Sequence, residues 1–384
     1  MGDNIVEYTE VTTENNQYPP LTSSRKGIFL QTEYFAGNQI ASDDNTGYNI
    51  VPYGYFTYRH MSDDEVFHFN INDIVEKGIV STLYPVFTTD ENLDSRYLQY
   101  QLNYGHEFAK FAILQKQGGS RTYMYLNKLR QLHLTMPNHV EEQKAISSFF
   151  MNLDHLITLH QRKYDKLQVL KKAMLEKMFP KNGSSVPEIR FKGFTDAWEQ
   201  RKLGEVVKEV TRNDPTSEAP IMMITANNGF IEQSERYAFD NAGESLKKYI
   251  LLQKGELAYN HGASKLRPFG SCFALTTAES ARIPFVYHCF SAENQNAEFL
   301  SIELNGSEVE SQLRKIVSSG ARMDGLLNIS FDEYSTVTVL LPDIKEQEHI
   351  ADFFRNLDHL ITLHQRELEK LQNIKKSMLE KMFV

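Results

Sequence analysis

The sequence predicts an α/β (α+β) protein in which two globular units are each followed by a long helix. Three observations predict it: one stretch occurs twice, each copy has a helical period, and the residues before each copy also repeat. The letters LDHLITLHQR stand at positions 153–162 and again at 357–366. Ten identical residues do not recur by chance in a chain of 384, so the architecture is a tandem duplication.

The repeated stretch is longer than ten residues. Residues 153–179 and 357–383 differ at six of 27 positions, and neither contains Pro or Gly. Apolar side chains recur every three or four residues, which predicts two helices of about 35 residues, roughly 50 Å long. Helices of this length usually pair, and near-identical apolar stripes suit a pseudo-twofold, intramolecular coiled coil. The alternative is that each stripe packs on its own globular unit. The residues expected to pair the helices or to dock partners are Phe150, Leu153, Ile157, Leu167, Met174, Phe354, Leu357, Ile361, Leu371 and Met378.

The globular units repeat more weakly, at an offset of 201 to 204 residues. Short β-rich runs at 221–225, 284–290 and 336–341 alternate with polar loops and predict mixed, curved sheets. Nearly unchanged helices indicate two equivalent tasks, whereas diverged units indicate the same kind of task on two targets. The shared positions are Tyr48/Tyr249, Gly54/Gly255, Tyr58/Tyr259, His60/His261, the segments 98–103 and 300–305, and the segments 118–127 and 319–328.

These repeats divide the chain into five expected segments. The boundaries are 1–140 for the first globular unit, 141–180 for its helix, 181–203 for a linker and lead-in segment, 204–342 for the second unit and 343–384 for its helix. The letters KNGSS are typical of a linker. The lead-in residues 187–202 have no counterpart before the first unit. Either the architecture is arranged so, or an N-terminal segment was trimmed.

Composition limits the class of protein. With 41% hydrophobic residues, the chain can bury large cores in two or three domains. Two cysteines, Cys272 and Cys289, cannot form a disulfide framework and indicate a reducing, cytoplasmic setting. Neither a signal peptide nor an apolar run of about 18 residues is present in the sequence. The net charge of −9 argues against a simple nucleic-acid binder, because phosphate contacts need Lys and Arg.

Two motifs carry a resemblance to a known family. PEIRFKGFTDAWEQRKLGE (residues 187–205) and LITLHQRKYDKLQVLKKAMLEKMFP (residues 156–180) resemble segments of the DNA-specificity (S) subunit of type I restriction–modification systems. The resemblance covers essentially the whole chain. It implies two target recognition domains that each read half of a split DNA sequence, and two long helices that form an antiparallel coiled coil. The implied partners are double-stranded DNA, two adenine methyltransferase subunits that bind S-adenosylmethionine, and restriction (nuclease-translocase) subunits.

The sequence predicts no catalytic or metal site in this chain, and no cofactor bound by it. Its Pro19-Pro20 pair lies outside any Asn-Pro-Pro-Tyr/Phe or Asp-Pro-Pro-Tyr stretch, and no G-x-x-x-x-G-K-[ST] loop occurs. His155 and His160 are five residues apart, which does not place them on one helix face as zinc ligands. We therefore expect a non-catalytic subunit. The alternatives are a coiled-coil protein-interaction scaffold that reads no DNA and, third, a free-standing methyltransferase.

DNA contacts must come from local loops, because residues 205–340 hold 12 Lys and Arg against 18 Asp and Glu. Arg and Lys bind guanine edges, Asn, Gln or Ser can read adenine, and Gly lets the backbone approach a phosphate. Ordinary polar turns are the alternative, and Tyr58 and Tyr259 are expected in the core. The first-unit candidates are Ser24, Arg25, Lys26, Arg59, His60, Ser120, Arg121, Thr122 and Tyr123. The second-unit candidates are Asn227, Asn228, Asn260, His261, Ser264, Lys265, Arg267 and Arg322.

Overall fold

A computed structural model describes residues 1–38, 40–116, 120–181, 183–226, 229–235, 243–317 and 327–383. The chain forms two compact units, which we call the first unit (Met1–Arg162 with Gln365–Val384) and the second unit (Lys163–His364). Each unit therefore contains one globular region and a part of both long helices. Within the described ranges, no helix combines the length and apolar character needed to cross a membrane.

The first globular region is built from short strands and helices that end in a long helix. Its strands are β1 (Ile5–Glu7), β2 (Leu21–Ser24), β3 (Gly27–Leu30), β4 (Asn49–Pro52), β5 (Phe56–Thr57), β6 (Met61–Ser62), β7 (Asn70–Ile71), β8 (Lys77–Val80), β9 (Val86–Thr89) and β10 (Thr122–Tyr123). Its helices are α1 (Gln31–Tyr34), α2 (Ser95–Tyr104), α3 (His106–Leu114), α4 (Leu126–Leu129) and the long α5 (Val140–Lys177), with a 3-10 turn at Gly2–Asn4.

The second globular region has the same construction. Its strands are β11 (Glu199–Lys202), β12 (Val207–Glu209), β13 (Met222–Thr225), β14 (Gly229–Glu232), β15 (Ile250–Gln253), β16 (Leu257–Asn260), β17 (Ser271–Ala274), β18 (Ser280–Ile283), β19 (His288–Ala292) and β20 (Thr338–Leu341). Its helices are α6 (Ala297–Leu304), α7 (Ser307–Ile316), α8 (Phe331–Ser335) and the long α9 (Ile344–Met382), with 3-10 turns at Leu203–Glu205, Gln233–Glu235 and Gly243–Lys248.

The two regions share one sheet topology. In the first unit β1, β9, β5 and β7 are neighbours in that order, and in the second unit β12, β19, β16 and β17 follow the same order. The pairs β2–β3 and β4–β8 correspond to β13–β14 and β15–β18. These ladders are antiparallel, and the parallel pairings are isolated bridges at Pro20–Ile79 and Ile221–Arg282. The predicted α/β class with two long helices is therefore confirmed.

Strand positions differ from the sequence prediction where a turn intervenes. The expected run 284–290 begins as a strand only at His288, because the Tyr287 N–H donates to the Pro284 carbonyl at 3.0 Å and closes a turn. Proline lacks the N–H that a ladder needs, so it sits before the strand. The helices α6 and α7 that follow β19 are separated at Asn305 and Gly306.

In the first unit, the beginning of α5 packs antiparallel to the end of α9. The Phe150 ring centroid lies 5.5 Å from that of Phe383, and Lys375 Nζ donates to Asp154 Oδ1 at 2.5 Å. The partner positions run in opposite directions along the two helices, as the family resemblance implied. The predicted pairing residues of this unit are buried (Phe150, Leu153) or half-buried (Ile157, Leu371, Met378).

In the second unit, the end of α5 packs antiparallel to the beginning of α9. Lys171 Nζ donates to Asp358 Oδ1 at 2.5 Å, and the Phe179 ring centroid lies 6.1 Å from that of Phe354. This ion pair is the 204-residue equivalent of the pair in the first unit. The predicted pairing residues here are buried (Phe354, Leu357, Ile361) or half-buried (Leu167, Met174).

Candidate nucleic-acid interface

The predicted reading loop of the first unit includes the β2–β3 turn. Ser24 Oγ donates to the Gly27 carbonyl and accepts from the Lys26 N–H, both at 3.1 Å. Gly27 has a φ of 122°, in a region that L side chains rarely adopt, which explains glycine at this position. The turn therefore presents Arg25 and Lys26, both exposed, on a fixed backbone.

Three basic side chains of the first unit bind three consecutive acids, residues 63–65, which we call the acidic turn. The basic residues come from the β2–β3 turn, the segment after α3 and the start of β10. Their charge-assisted hydrogen bonds lie on the surface, and the Arg25 guanidinium holds the pKa of Asp64 well below its usual range. The pairs are Arg25–Asp64, Lys116–Glu65 and Arg121–Asp63.

Next to Arg121, strand β10 alternates between inward and outward side chains. Thr122 is only 1% exposed, whereas Tyr123 and Tyr125 are 38% and 48% exposed. The two tyrosine rings stack at 6.0 Å, and His60 stacks on Tyr125 at 4.9 Å. His60 is 7% exposed, so it and Thr122 support this surface from within. The exposed candidates Arg59 and Ser120 complete the set for this unit.

In the second unit, the predicted loop after β16 is held by its own polar side chains. Asn260 Nδ2 donates to the Ile224 carbonyl at 3.0 Å, and its Oδ1 accepts from the Gly262 N–H at 2.9 Å. Ser264 Oγ accepts from the Arg267 N–H at 3.0 Å. Lys265 is exposed at the tip of the loop, where a phosphate could reach it. Three further predicted residues, Asn227, Asn228 and Arg322, lie outside the described residues.

Two other predicted residues of this loop point inward. Both ring nitrogens of His261 lie 2.7 Å from carbonyl oxygens, those of Leu327 and Val286. Arg267 Nη1 donates to the Asn305 carbonyl at 2.9 Å, and burial lowers the pKa of the guanidinium. Arg267 Nε is buried and meets no hydrogen-bond acceptor in the described part of the chain. These contacts anchor the loop to the domain beneath it.

Equivalent asparagines attach α2 and α6 to the sheets that carry the loops. Asn103 accepts from the N–H of Phe69 and donates to its carbonyl, both at 2.9 Å. Asn305 makes the same pair of bonds to Cys272, at 3.1 and 2.5 Å. Each side-chain amide thus bonds to both the N–H and the carbonyl of one residue, as a neighbouring strand would. The candidate loops of both units therefore belong to domains with the same attachment.

The described residues offer binding geometry but little for catalysis. Burial raises the pKa of both the Cys272 and Cys289 thiols well above the ordinary range, so neither is an activated nucleophile. Groups of three or more metal-ligating side chains are not found in the ranges that the structure describes. What the arrangement can do is present cations, amides and tyrosine rings from fixed loops.

A cavity of about 510 Å³ in the second unit contains an unusual carboxyl group, that of Glu303. Glu303 is 7% exposed, and its Oε1 accepts from the Leu340 N–H at 3.1 Å. Burial raises its pKa from 4.5 to about 7. The equivalent residue of the first unit is Gln101, also buried, which donates to the Thr135 carbonyl at 3.2 Å. The two units thus differ by one ionisable group at the same place.

This difference predicts a pH-dependent stability for the second unit. The folded state keeps the Glu303 proton up to about pH 7, whereas the unfolded chain loses it near pH 4.5. The contribution of Glu303 to the free energy of unfolding is therefore fully present below about pH 4.5 and is lost as pH rises towards 7. We expect a loss of about 3 kcal/mol over that interval. Hydrogen exchange of second-unit peptides would measure it, and Glu303→Gln, which installs the first-unit residue, should flatten the profile. An unchanged profile in this variant would contradict the assignment.

Comparison with known proteins shows what this chain is similar to. Residues 31–169 match the family described as Type I restriction modification DNA specificity domain. The Type I restriction enzyme MjaVIII specificity subunit of Methanocaldococcus jannaschii is 24% identical over 328 residues, which cover 79% of this chain and 73% of the relative.

Solved structures add a comparison of fold. The S subunit of a type I restriction–modification system from M. genitalium has a TM-score of 0.56 at 12% identity, covering 100% of this chain and 94% of that chain. The HsdS subunit of Thermoanaerobacter tengcongensis has a TM-score of 0.41 at 15% identity, covering 100% and 95%. The likeness to the M. genitalium subunit is one of fold, and the family match and the relative confirm the predicted resemblance to type I DNA-specificity subunits.

Proposed function

We propose that this chain is a sequence-specific DNA-binding subunit that reads a bipartite target, one half with each unit. The observation that carries the proposal is a duplicated fold whose loops differ. Sheet order, helix contacts and the asparagine attachments recur, while the letters SSRKG at the β2–β3 turn (residues 23–27) differ from TANNG between the equivalent strands β13 and β14 (residues 225–229). The similarity to specificity subunits supports this function.

The same proposal gives the helices a scaffolding task. Four leucines at equivalent positions, two on each long helix, are 38–44% exposed: Leu156, Leu159, Leu360 and Leu363. Exposed apolar groups at equivalent places suit two copies of one partner. We infer that two methyltransferase subunits dock here, that restriction subunits join them, and that S-adenosylmethionine binds to the methyltransferase subunits. This chain is then the non-catalytic, cytoplasmic member of an adenine-modifying complex.

Binding to random duplex DNA tests the function directly. We expect the purified chain with its methyltransferase subunits to enrich one split sequence, and its affinity to fall steeply with salt, by a log–log slope of about −0.9 per phosphate contact. Electrophoretic mobility shifts across a salt series would measure both. Binding without sequence preference would contradict the proposal.

A protein-interaction scaffold is the second candidate, because the net charge of −9 disfavours phosphate binding. The scaffold predicts that partner binding is nearly insensitive to salt and that no DNA sequence is enriched. The same salt series therefore separates the two functions.

A further inference from the structure

The acidic turn binds its two arginines through different nitrogens of the guanidinium group. Both terminal nitrogens of Arg25 are held by Asp64, with Nη1 donating to Oδ2 at 2.8 Å and Nη2 donating to Oδ1. Arg121 is held through Nε instead, which donates to Asp63 Oδ1 at 2.8 Å. The same charge pairing thus uses opposite edges of the two guanidinium groups.

This difference decides what each arginine can still bind. A bidentate contact to guanine O6 and N7 needs two parallel N–H groups of the guanidinium fork. In the described ranges the terminal nitrogens of Arg121 donate no hydrogen bond to a carboxylate or carbonyl, and Nη1 donates only to Met61 Sδ, at the long distance of 4.0 Å. Arg121 can therefore offer its terminal edge while Asp63 fixes its orientation. Arg25 cannot offer its terminal edge until its contact with Asp64 breaks, and Nη2, which borders its other edge, also donates to the Val66 carbonyl at 3.5 Å.

The backbone indicates that this turn is held in place. Glu65 has a φ of 62°, a left-handed conformation that is unfavourable for a residue with a side chain. Its carboxylate binds Lys116, and the Ser62 hydroxyl donates to Asp64 Oδ1 at 2.8 Å. Such strain persists where surrounding contacts maintain it, and it is frequent at functional sites. The strain lies at Glu65 alone, while the three ion pairs involve all three carboxylates.

We propose that the acidic turn sets which arginine of the first unit reads DNA: Asp63 presents Arg121 to a guanine, and Asp64 withholds Arg25 from phosphates. The inference rests on the proposed function and deepens it. Asp63 is a positioning residue, because a pre-oriented fork loses less side-chain entropy when it binds a base. Asp64 suppresses non-specific binding, because each cation that reaches a phosphate adds sequence-independent affinity. An acidic chain can thus discriminate sequences with few free cations.

Two single substitutions separate these roles. Asp64→Asn should raise the affinity of the full chain for random duplex DNA by up to about fivefold, since an exposed ion pair is weak. It should also make the log–log salt slope steeper by about 1. Asp63→Asn should raise random-duplex affinity less than Asp64→Asn does, because the terminal edge of Arg121 is already open in the wild type. It should weaken the preference for one G·C pair by about five- to tenfold.

Selection from a duplex library with randomised half-sites, using the complex with methyltransferase subunits, identifies that base pair. Arg121→Ala should lose the preference at the same position as Asp63→Asn. In Arg25→Ala/Asp64→Asn, the gain in random-duplex affinity should disappear. The control is Glu279→Gln, which removes one carboxylate from the exposed Lys254–Glu279 pair of the second unit and should change neither measurement.

The outcomes distinguish this inference from the function on which it rests. A wild-type complex that selects no sequence would contradict the function itself. A wild-type complex that selects a sequence, with Asp63→Asn and Asp64→Asn either acting alike or leaving both measurements unchanged, would overturn the roles of the acidic turn alone. The roles are supported if Asp63→Asn mainly reduces the base preference and Asp64→Asn mainly steepens the salt slope.

Discussion

Replacing Glu346 with alanine is expected to lower the free energy of unfolding of the second unit by about 3–5 kcal/mol. Glu346 is fully buried, and its carboxylate accepts from Arg190 Nε and Nη2 at 2.6 and 2.7 Å. The substitution would leave a guanidinium that is only 12% exposed without its counter-charge. Arginine keeps its proton at any ordinary pH, so Arg190 cannot escape this penalty by becoming neutral. Hydrogen exchange of second-unit peptides at increasing denaturant would measure the loss.

The duplication supplies the matched control. Glu142 stands at the equivalent position of the first unit, but it is exposed and forms no ion pair with any residue that the structure describes. Glu142→Ala should therefore change stability by less than about 0.5 kcal/mol. The double variant Arg190→Met/Glu346→Met should recover most of the stability, because apolar side chains often replace a buried ion pair without loss. Equal losses from Glu142→Ala and Glu346→Ala would contradict this account.

The long helices could be predicted because their signal is local and repeated. The expected segments 141–180 and 343–384 contain α5 (Val140–Lys177) and α9 (Ile344–Met382) almost entirely. An uninterrupted 3.6-residue periodicity that occurs twice favours a helix over any other structure. Tyr58 and Tyr259 were correctly expected in the core, at 0% and 1% exposure. The single strands were located less well, because a turn such as that at Pro284 depends on backbone contacts that composition does not specify.

The contacts that define the candidate site could not be predicted, since they join residues far apart in the chain. Arg190 and Glu346 are 156 residues apart, and Arg121 and Asp63 are 58 apart. In the sequence, acidic residues argue only against DNA binding, and nothing in the letters SDDE at 62–65 predicts that they bind three distant cations. One signal was available for Thr122: strand alternation in the letters RTYMY turns it inward and turns Tyr123 and Tyr125 outward.

Replacing two exposed leucines of one helix should remove one partner from the complex. Leu156 and Leu159 are 41% and 38% exposed on α5, and Leu360 and Leu363 are 42% and 44% exposed on α9. If each pair lies in one docking face, Leu156→Asp/Leu159→Asp loses the burial of two leucines, which weakens that contact at least about 100-fold. Native mass spectrometry of the co-expressed complex should then show one methyltransferase subunit instead of two.

The second helix and a neutral position make this test decisive. Leu360→Asp/Leu363→Asp should also leave one methyltransferase subunit, and the fourfold variant should leave none. Val169 is 69% exposed on α5, and its equivalent on α9 is Asn373. Val169→Asn therefore installs a residue that the chain already carries at that place, and it should keep both partners. Loss of both partners from either double variant would mean that the two faces are not independent, and near-identity of the helices would then reflect their pairing alone.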